Sequence, residues 1–115
     1  MTRTVTEDDV KEYRATSTVG LVEIRIPVGT GKYRLNYVQL YTSSKHAIAG
    51  YIAFRYPTAI GGQQTQQMLG GYFSKRIPLN VRMQEVAGPG WIYALVTLDT
   101  GETATMEVSY RRIYE

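Results

Sequence analysis

The chain has 115 residues, a net charge of +3, 43% hydrophobic side chains and no cysteine. A single domain is expected, with a core large enough to fold without metal or disulfide. Zinc fingers, disulfide scaffolds and thiol nucleophiles are excluded.

The N-terminus, MTRTVTEDDV, lacks an apolar signal core, and no run approaches about 18 apolar residues, so neither secretion nor membrane insertion is expected. Charge is uneven along the chain. Residues 1–20 set Arg3, Lys11 and Arg14 against Glu7, Asp8, Asp9 and Glu12. Residues 21–56 set Arg25, Lys32, Arg34, Lys45 and Arg55 against Glu23 alone. A mildly basic centre suits an acidic partner, although a solvated charged face is the commoner outcome.

The first element is a polar arm over 1–20. Thr6 and Asp9 form a variant capping box, and Val5 and Val10 stand at staple positions, which predicts a short helix from about Glu7 to Arg14. The competing expectation is an extended arm that adds a strand at Tyr13 to Val19. After Gly20 the period becomes two: Val22, Ile24, Ile26 and Val28 share one face, and Glu23 and Arg25 the other. Gly29-Thr30-Gly31-Lys32 supplies a turn. The next strand places Tyr33, Leu35, Tyr37, Gln39 and Tyr41 on one side and Arg34, Asn36, Val38 and Leu40 on the other. Neither face is cleanly apolar, which predicts a bulge near Tyr37 or two covered faces.

Beyond the turn Ser43-Ser44-Lys45-His46, Ile48 to Tyr56 reads as the hairpin partner of that strand, and Pro57 ends it. Thr58 to Gly71 carries no charge and holds two glycine pairs around Gln63, Gln64, Gln66 and Gln67. It reads as a long connection with one short edge strand, or as a contact loop. Phe73, Ile77 and Leu79 mark another strand, and Val81 to Val86 a further one. Gly88-Pro89-Gly90 is a turn. Trp91 to Leu98 is apolar on both faces, and Asp99-Thr100-Gly101-Glu102 closes a hairpin. Ala104, Met106, Val108 and Tyr110 then alternate inward. The sum is an all-β antiparallel sandwich over 21–115, jelly-roll-like, with about eight strands.

Catalytic groups are scarce. His46 is the one histidine, in a turn beside Ser43 and Ser44, and the three aspartates are Asp8, Asp9 and Asp99. A triad needs a base oriented by a third, usually buried, group, and no such partner is evident. Glu23, Glu85 and Glu107 occupy solvent faces and do not read as a glycosidase pair. Glu7-Asp8-Asp9 fits a helix N-terminus, so no metal site is expected. Gly29-Thr30-Gly31-Lys32 lacks phosphate-loop spacing. Neither enzyme activity nor a cofactor is expected.

Ten tyrosines remain, five of them between residues 33 and 56. Tyr33, Tyr37 and Tyr41, with Arg34 and Arg55 and the glutamines at 63, 64, 66 and 67, are the candidate interaction residues. The same groups suit three roles: stacking of nucleobases on a basic barrel, a carbohydrate or receptor platform, or docking between subunits. A net charge of +3 is low for a dedicated nucleic-acid binder, so nucleic acid is not the expected partner.

The polar arm TRTVTEDDVKEYRATSTV, the paired runs KYRLNYVQLYTSSKHAIAGYIAFRYP and the closing strands WIYALVTLDTGETATMEVSYRRIYE resemble small jelly-roll or Greek-key proteins that decorate or cement viral capsids, especially of tailed bacteriophages. The resemblance implies a non-enzymatic virion protein assembled in the host cytoplasm. Its implied partner is a major capsid or other shell protein, and its implied state a homo-oligomer such as a trimer.

Overall fold

The computed structural model describes Thr4–Val5 and residues 11–114, with side chains from Val19 to Ile113. Its elements are β1 (Thr4–Val5), β2 (Lys11–Thr42), β3 (Ile48–Pro57), β4 (Gln63–Phe73) and β5 (Leu79–Tyr114). Hydrogen bonding follows the order β1-β5-β3-β4, with β2 paired to β5, and every pairing is antiparallel. Among the described residues no helix is long and apolar enough to cross a membrane.

β2 and β5 are long because pairing continues through their bends. From Lys11 opposite Tyr110 to Leu40 opposite Leu79 they run as one antiparallel ribbon, with breaks at Thr18/Gly20 and Val28/Gly31. The first break coincides with positive φ at Val19 (49°) and Gly20 (89°), the second with Gly31 (124°). At these left-handed positions glycine carries no Cβ penalty. The ribbon then returns on itself, since residues 32–42 also pair with 104–113.

Two ladders result. One carries 11–18, 103–113, 31–42 and 79–88; the other carries 20–28, 90–98, 48–57 and 63–73. Val22, Ile24, Ile26 and Val28 are buried, as are Ile92, Ala94, Val96 and Leu98, and Ala104, Met106, Val108 and Tyr110. They join Leu35, Val38, Leu40, Ile52, Phe54 and Phe73 in one cluster that draws on both ladders. Each large apolar side chain so buried contributes roughly 1.5–3 kcal/mol. The interior is close-fitting at Gly90, where a Cβ would meet Phe54 Cζ at 2.6 Å and the Arg55 carbonyl oxygen at 2.7 Å.

Several expectations are corrected. The runs 31–42 and 48–57 are not a hairpin: the first pairs with 79–88 and 104–113, the second with 63–73 and 91–96. Residues 43–47 therefore cross from one ladder to the other. The same holds at Asp99-Thr100-Gly101-Glu102, where Leu98 pairs with Gly20 and Thr103 with Thr18. Turn chemistry reverses a chain equally well at a hairpin and at a sandwich corner.

The expected connection over 58–71 is mostly strand. Only Thr58 to Gly62 turns, closed by Thr58 N–H to Gly62 O at 2.9 Å and Gly62 N–H to Thr58 Oγ1 at 3.0 Å. Ile77 belongs to no strand: Ser74 and Ile77 exchange two backbone hydrogen bonds of 3.1 Å, and Ile77 is 70% exposed. The expected helix is absent over Lys11 to Arg14, which pair with Tyr110 to Glu107. The remainder of that helix, with the Thr6–Asp9 box and Val10, lies outside the described residues. Tyr13 to Thr18 form a strand, as the extended-arm expectation had it.

The predicted bulge exists. Leu35 pairs with Tyr110 and Tyr37 with Ser109, leaving Asn36 as the extra residue. An inserted residue reverses the side-chain alternation. Leu35, Val38 and Leu40 are consequently all buried. Tyr33 thus packs on the core, while Tyr41 is exposed on the opposite side.

Candidate binding face

The outer face of the second ladder is built by strand register. Glu23 stands opposite Leu95, and Leu95 opposite Tyr51, which pairs with Gly70. One row along, Arg25, Tyr93, Ala53 and Gln67 are successive partners; the next holds Pro27, Trp91, Arg55 and Thr65. Because Ile92, Ala94 and Val96 turn inward, Trp91, Tyr93 and Leu95 must turn outward.

Tyr93 is nonetheless only 2% exposed. Its neighbours cover it: the Arg55 guanidinium lies 4.2 Å from its ring centroid, and the Tyr51 ring is 5.8 Å away at 50°. Its hydroxyl donates to Glu23 Oε1 at 3.0 Å, and Arg25 Nη2 donates to Glu23 Oε2 at 2.9 Å. Arg55 Nε–H donates to Thr65 Oγ1 at 3.2 Å. The Tyr93 phenol, then the Arg25 guanidinium, hold the Glu23 carboxyl below the ordinary carboxylate range. Burial, then the Glu23 carboxylate, push the Tyr93 phenol up to about 12. The result is a fixed aromatic–ionic layer on the outside of the sheet.

Beside it lies a cleft of 430 Å³ lined by Leu21, Ala49, Gly50, Tyr51, Gln67, Gly70, Gly71, Tyr72, Leu95 and Thr97. Tyr72 is 76% exposed and Leu21 71%. Tyr72 pairs with Ala49 and Tyr51 with Gly70. The two tyrosines are therefore diagonal neighbours, and each faces a small residue across the strands.

The residues expected from the sequence are dispersed over the molecule. Tyr33 stacks edge-on against Tyr110 at 5.3 Å and 76°. Tyr37 OH donates to Glu107 Oε1 at 3.0 Å, and Tyr41 OH to Gln39 Oε1, on the first ladder. Arg34 lies 3.8 Å from Glu85. Arg55 belongs to the second ladder's outer face, with Gln67 in the cleft. Gln63, Gln64, Gln66 and Gln67 are exposed on β4. Sequence reasoning missed Tyr51, Tyr72, Tyr93 and Glu23 as a group. Trp91 to Leu98 being apolar on both faces was the available signal.

A second cluster was also missed. The corners 43–46 and 99–102 meet, so that His46 Nε2 lies 3.2 Å from Asp99 Oδ2 and Nδ1 lies 3.7 Å from Glu102 Oε2. Asp99, not evident from the sequence as a partner of His46, is its neighbour. Ser44 Oγ is 3.2 Å from His46 Nδ1, but its hydroxyl donates to the His46 carbonyl at 2.9 Å and Ser44 is 1% exposed. That arrangement ties two corners together. The Asp99 backbone N–H, which donates to Glu102 Oε1 at 2.8 Å, is the first cause that lowers the Glu102 carboxyl from its ordinary value, with His46 adding a smaller effect. The three side chains His46, Asp99 and Glu102 place ligand atoms within 4.8 Å of one another. All but Glu102 are exposed.

No protein-family model and no curated protein sequence matches the chain. Among solved structures it is similar to the C-terminal family 22 carbohydrate binding module of Clostridium thermocellum Xyn10B, with a TM-score of 0.53 and 8% identity over 93% of this chain and 87% of that one. It is also similar to a structure of infectious bursal disease virus Gt strain, with a TM-score of 0.48 and 11% identity over 97% of this chain and 37% of that one. A further similarity is to a Yersinia pseudotuberculosis-derived mitogen, with a TM-score of 0.44 and 20% identity over 87% and 83% of the two chains. What the first of these shares with this chain is the fold.

Proposed function

We propose that the chain is a non-enzymatic structural protein of a virion, which decorates or cements a capsid through contacts between subunits. Leaving aside the two-residue β1, the paired segments of the described residues, numbered in chain order, fall 1-8-3-6 in one ladder and 2-7-4-5 in the other, an order that supports a jelly-roll reading. The observation that carries the proposal is the edge strand β4. Of the four ladder borders, 79–88 is blunted in the usual way by Arg82 and Glu85 and 20–28 by Glu23, Arg25 and Pro27, while 11–18 carries Lys11, Glu12 and Arg14 in its sequence.

The fourth border, Gln63–Phe73, carries no charge and no proline, and Gln63 to Gln67 are all exposed. Such a border is a template for a neighbour's strand or loop. Exposed Ile60, Ile77, Met83 and Tyr72 add apolar area of the kind that assembly covers. Repeated over a lattice, many modest contacts of this sort reinforce one another. The partner is a major capsid or other shell protein, and the chain itself is a homo-oligomer.

The test compares heat resistance of particles with and without the protein, alongside Gln66→Lys, which charges the bare border without touching the core. Added protein should raise particle resistance, and Gln66→Lys should cut retention on particles by about tenfold or more while leaving the monomer's melting temperature unchanged. Equal resistance together with no retention rules the proposal out. A second reading, a carbohydrate- or receptor-binding module, is favoured by the cleft between Tyr51 and Tyr72 on the second ladder's outer face.

A further inference from the structure

We propose that the cleft bounded by Tyr51 and Tyr72 is a subsite for a neutral sugar ring; this rests on the binding-module reading above and names its ligand and contact residues. A cleft of 430 Å³ falls within the range of small-ligand sites (roughly 300–1,000 Å³). Its lining mixes apolar and polar groups. Tyr51, Tyr72, Leu21 and Leu95 offer flat or aliphatic surface, whereas Gln67 and Thr97 offer an amide and a hydroxyl. A pyranose has the same dual character, with apolar C–H faces and a girdle of hydroxyls. Tyrosine suits such a partner, combining broad contact area with a polar tip.

The space for the ring comes from missing side chains. Gly70 stands across from Tyr51 and Ala49 across from Tyr72, so the partner positions of the diagonal tyrosines carry nothing larger than a methyl, and the flexible amide end of Gln67 reaches over Gly70. A Cβ at Gly70 would already sit 3.4 Å from Tyr51 Cβ. Any longer side chain there would fill the slot.

Neutrality follows from the lining, which includes no charged residue. The nearby cations are committed: Arg25 to Glu23, and Arg55 to the Tyr93 ring and Thr65. A sialylated or uronic sugar would surrender hydration without gaining a counter-ion. The site is also rigid before binding. Tyr51 leans on Tyr93, which is buried and pinned by Glu23, so little ordering remains to oppose association.

The experiment titrates the full chain with neutral cellohexaose, xylohexaose and mannohexaose, with sialyllactose, and with a thymidine decanucleotide, reading chemical shifts and heat. Binding of at least one neutral hexaose is expected. Tyr72→Ala should weaken it by about tenfold, in line with one aromatic contact. Gly70→Leu should abolish it. Gly70 does not have positive φ, and the closest obstacle to its Cβ is the flexible end of Gln67 at 2.9 Å, so that variant folds. Tyr41→Ala, on the other ladder, should change nothing.

Binding of sialyllactose alone overturns the neutral-ring inference but leaves the binding-module reading standing. Loss with Tyr41→Ala and none with Tyr72→Ala moves the site elsewhere and likewise sinks the inference alone. Binding of the oligonucleotide in place of every sugar, or no binding at all up to millimolar concentration, removes both.

Discussion

At the scale of single residues, Tyr93 shows how a side chain on the solvent side of a sheet becomes part of a second packed layer. Its phenol and the Glu23 carboxylate shift one another in opposite directions. Glu23 is lowered from 4.5, so the stability it adds is present above that pH and is lost as pH falls through the depressed folded value. Tyr93 is raised from 10.0 to about 12, so its contribution is complete below pH 10 and is lost as pH climbs through about 12. Tyr93→Phe keeps the ring under Arg55 but deletes the hydroxyl. Melting temperature plotted against pH should therefore flatten at both ends in the variant, below pH 4.5 and between pH 10 and 12. Profiles parallel to wild type in both windows would show that the Tyr93–Glu23 bond contributes nothing.

At the scale of elements, side-chain faces were legible and partners were not. Alternation along 22–28 and along 104–110 identified which residues go inside, because a strand's period of two is written directly in residue type. Pairing leaves no comparable mark, since any two alternating runs can share a ladder. The runs 31–42 and 48–57 looked like a hairpin because a polar tetrapeptide joined them, yet their hydrogen bonds go to different strands. The glutamine-rich stretch looked like a loop because its outer half is exposed and uncharged, although backbone pairing to Pro57, Tyr56, Arg55, Phe54 and Ala53 needs no apolar side chain. The bulge was legible through the strand's failure to show a clean face. Deleting Asn36 would restore strict alternation and force either Leu35 or the Val38–Leu40 pair out of the core. Loss of burial on that scale amounts to several kcal/mol. We expect the Asn36 deletion to abolish the cooperative thermal transition, whereas Asn36→Gly, which retains the extra residue, should keep it. A deletion variant that melts like wild type would remove the bulge as the cause of the face reversal.

At the scale of the whole molecule, the ribbon of β2 and β5 determines what can form early. Lys11 pairs with Tyr110 and Tyr13 with Val108, almost the full chain length apart, and the two ladders close only when those ends meet. By contrast β3 and β4 are joined by the short turn Thr58 to Gly62 and can pair locally. Loop closure must precede the long-range contacts that reward it, so folding should take milliseconds to seconds rather than microseconds. The early structure should be the β3–β4 hairpin with the 91–96 segment laid against β3. Ile52, which is fully buried and bridges Leu69 on one side and Ala94 on the other, lies at its centre. Val108, equally buried, belongs to the segment that closes last. Ile52→Val should accordingly slow refolding, while Val108→Ala should mainly accelerate unfolding. Denaturant-jump kinetics on the two variants separate the cases. If Val108→Ala slows refolding and Ile52→Val does not, the ribbon nucleates the fold and the hairpin follows it.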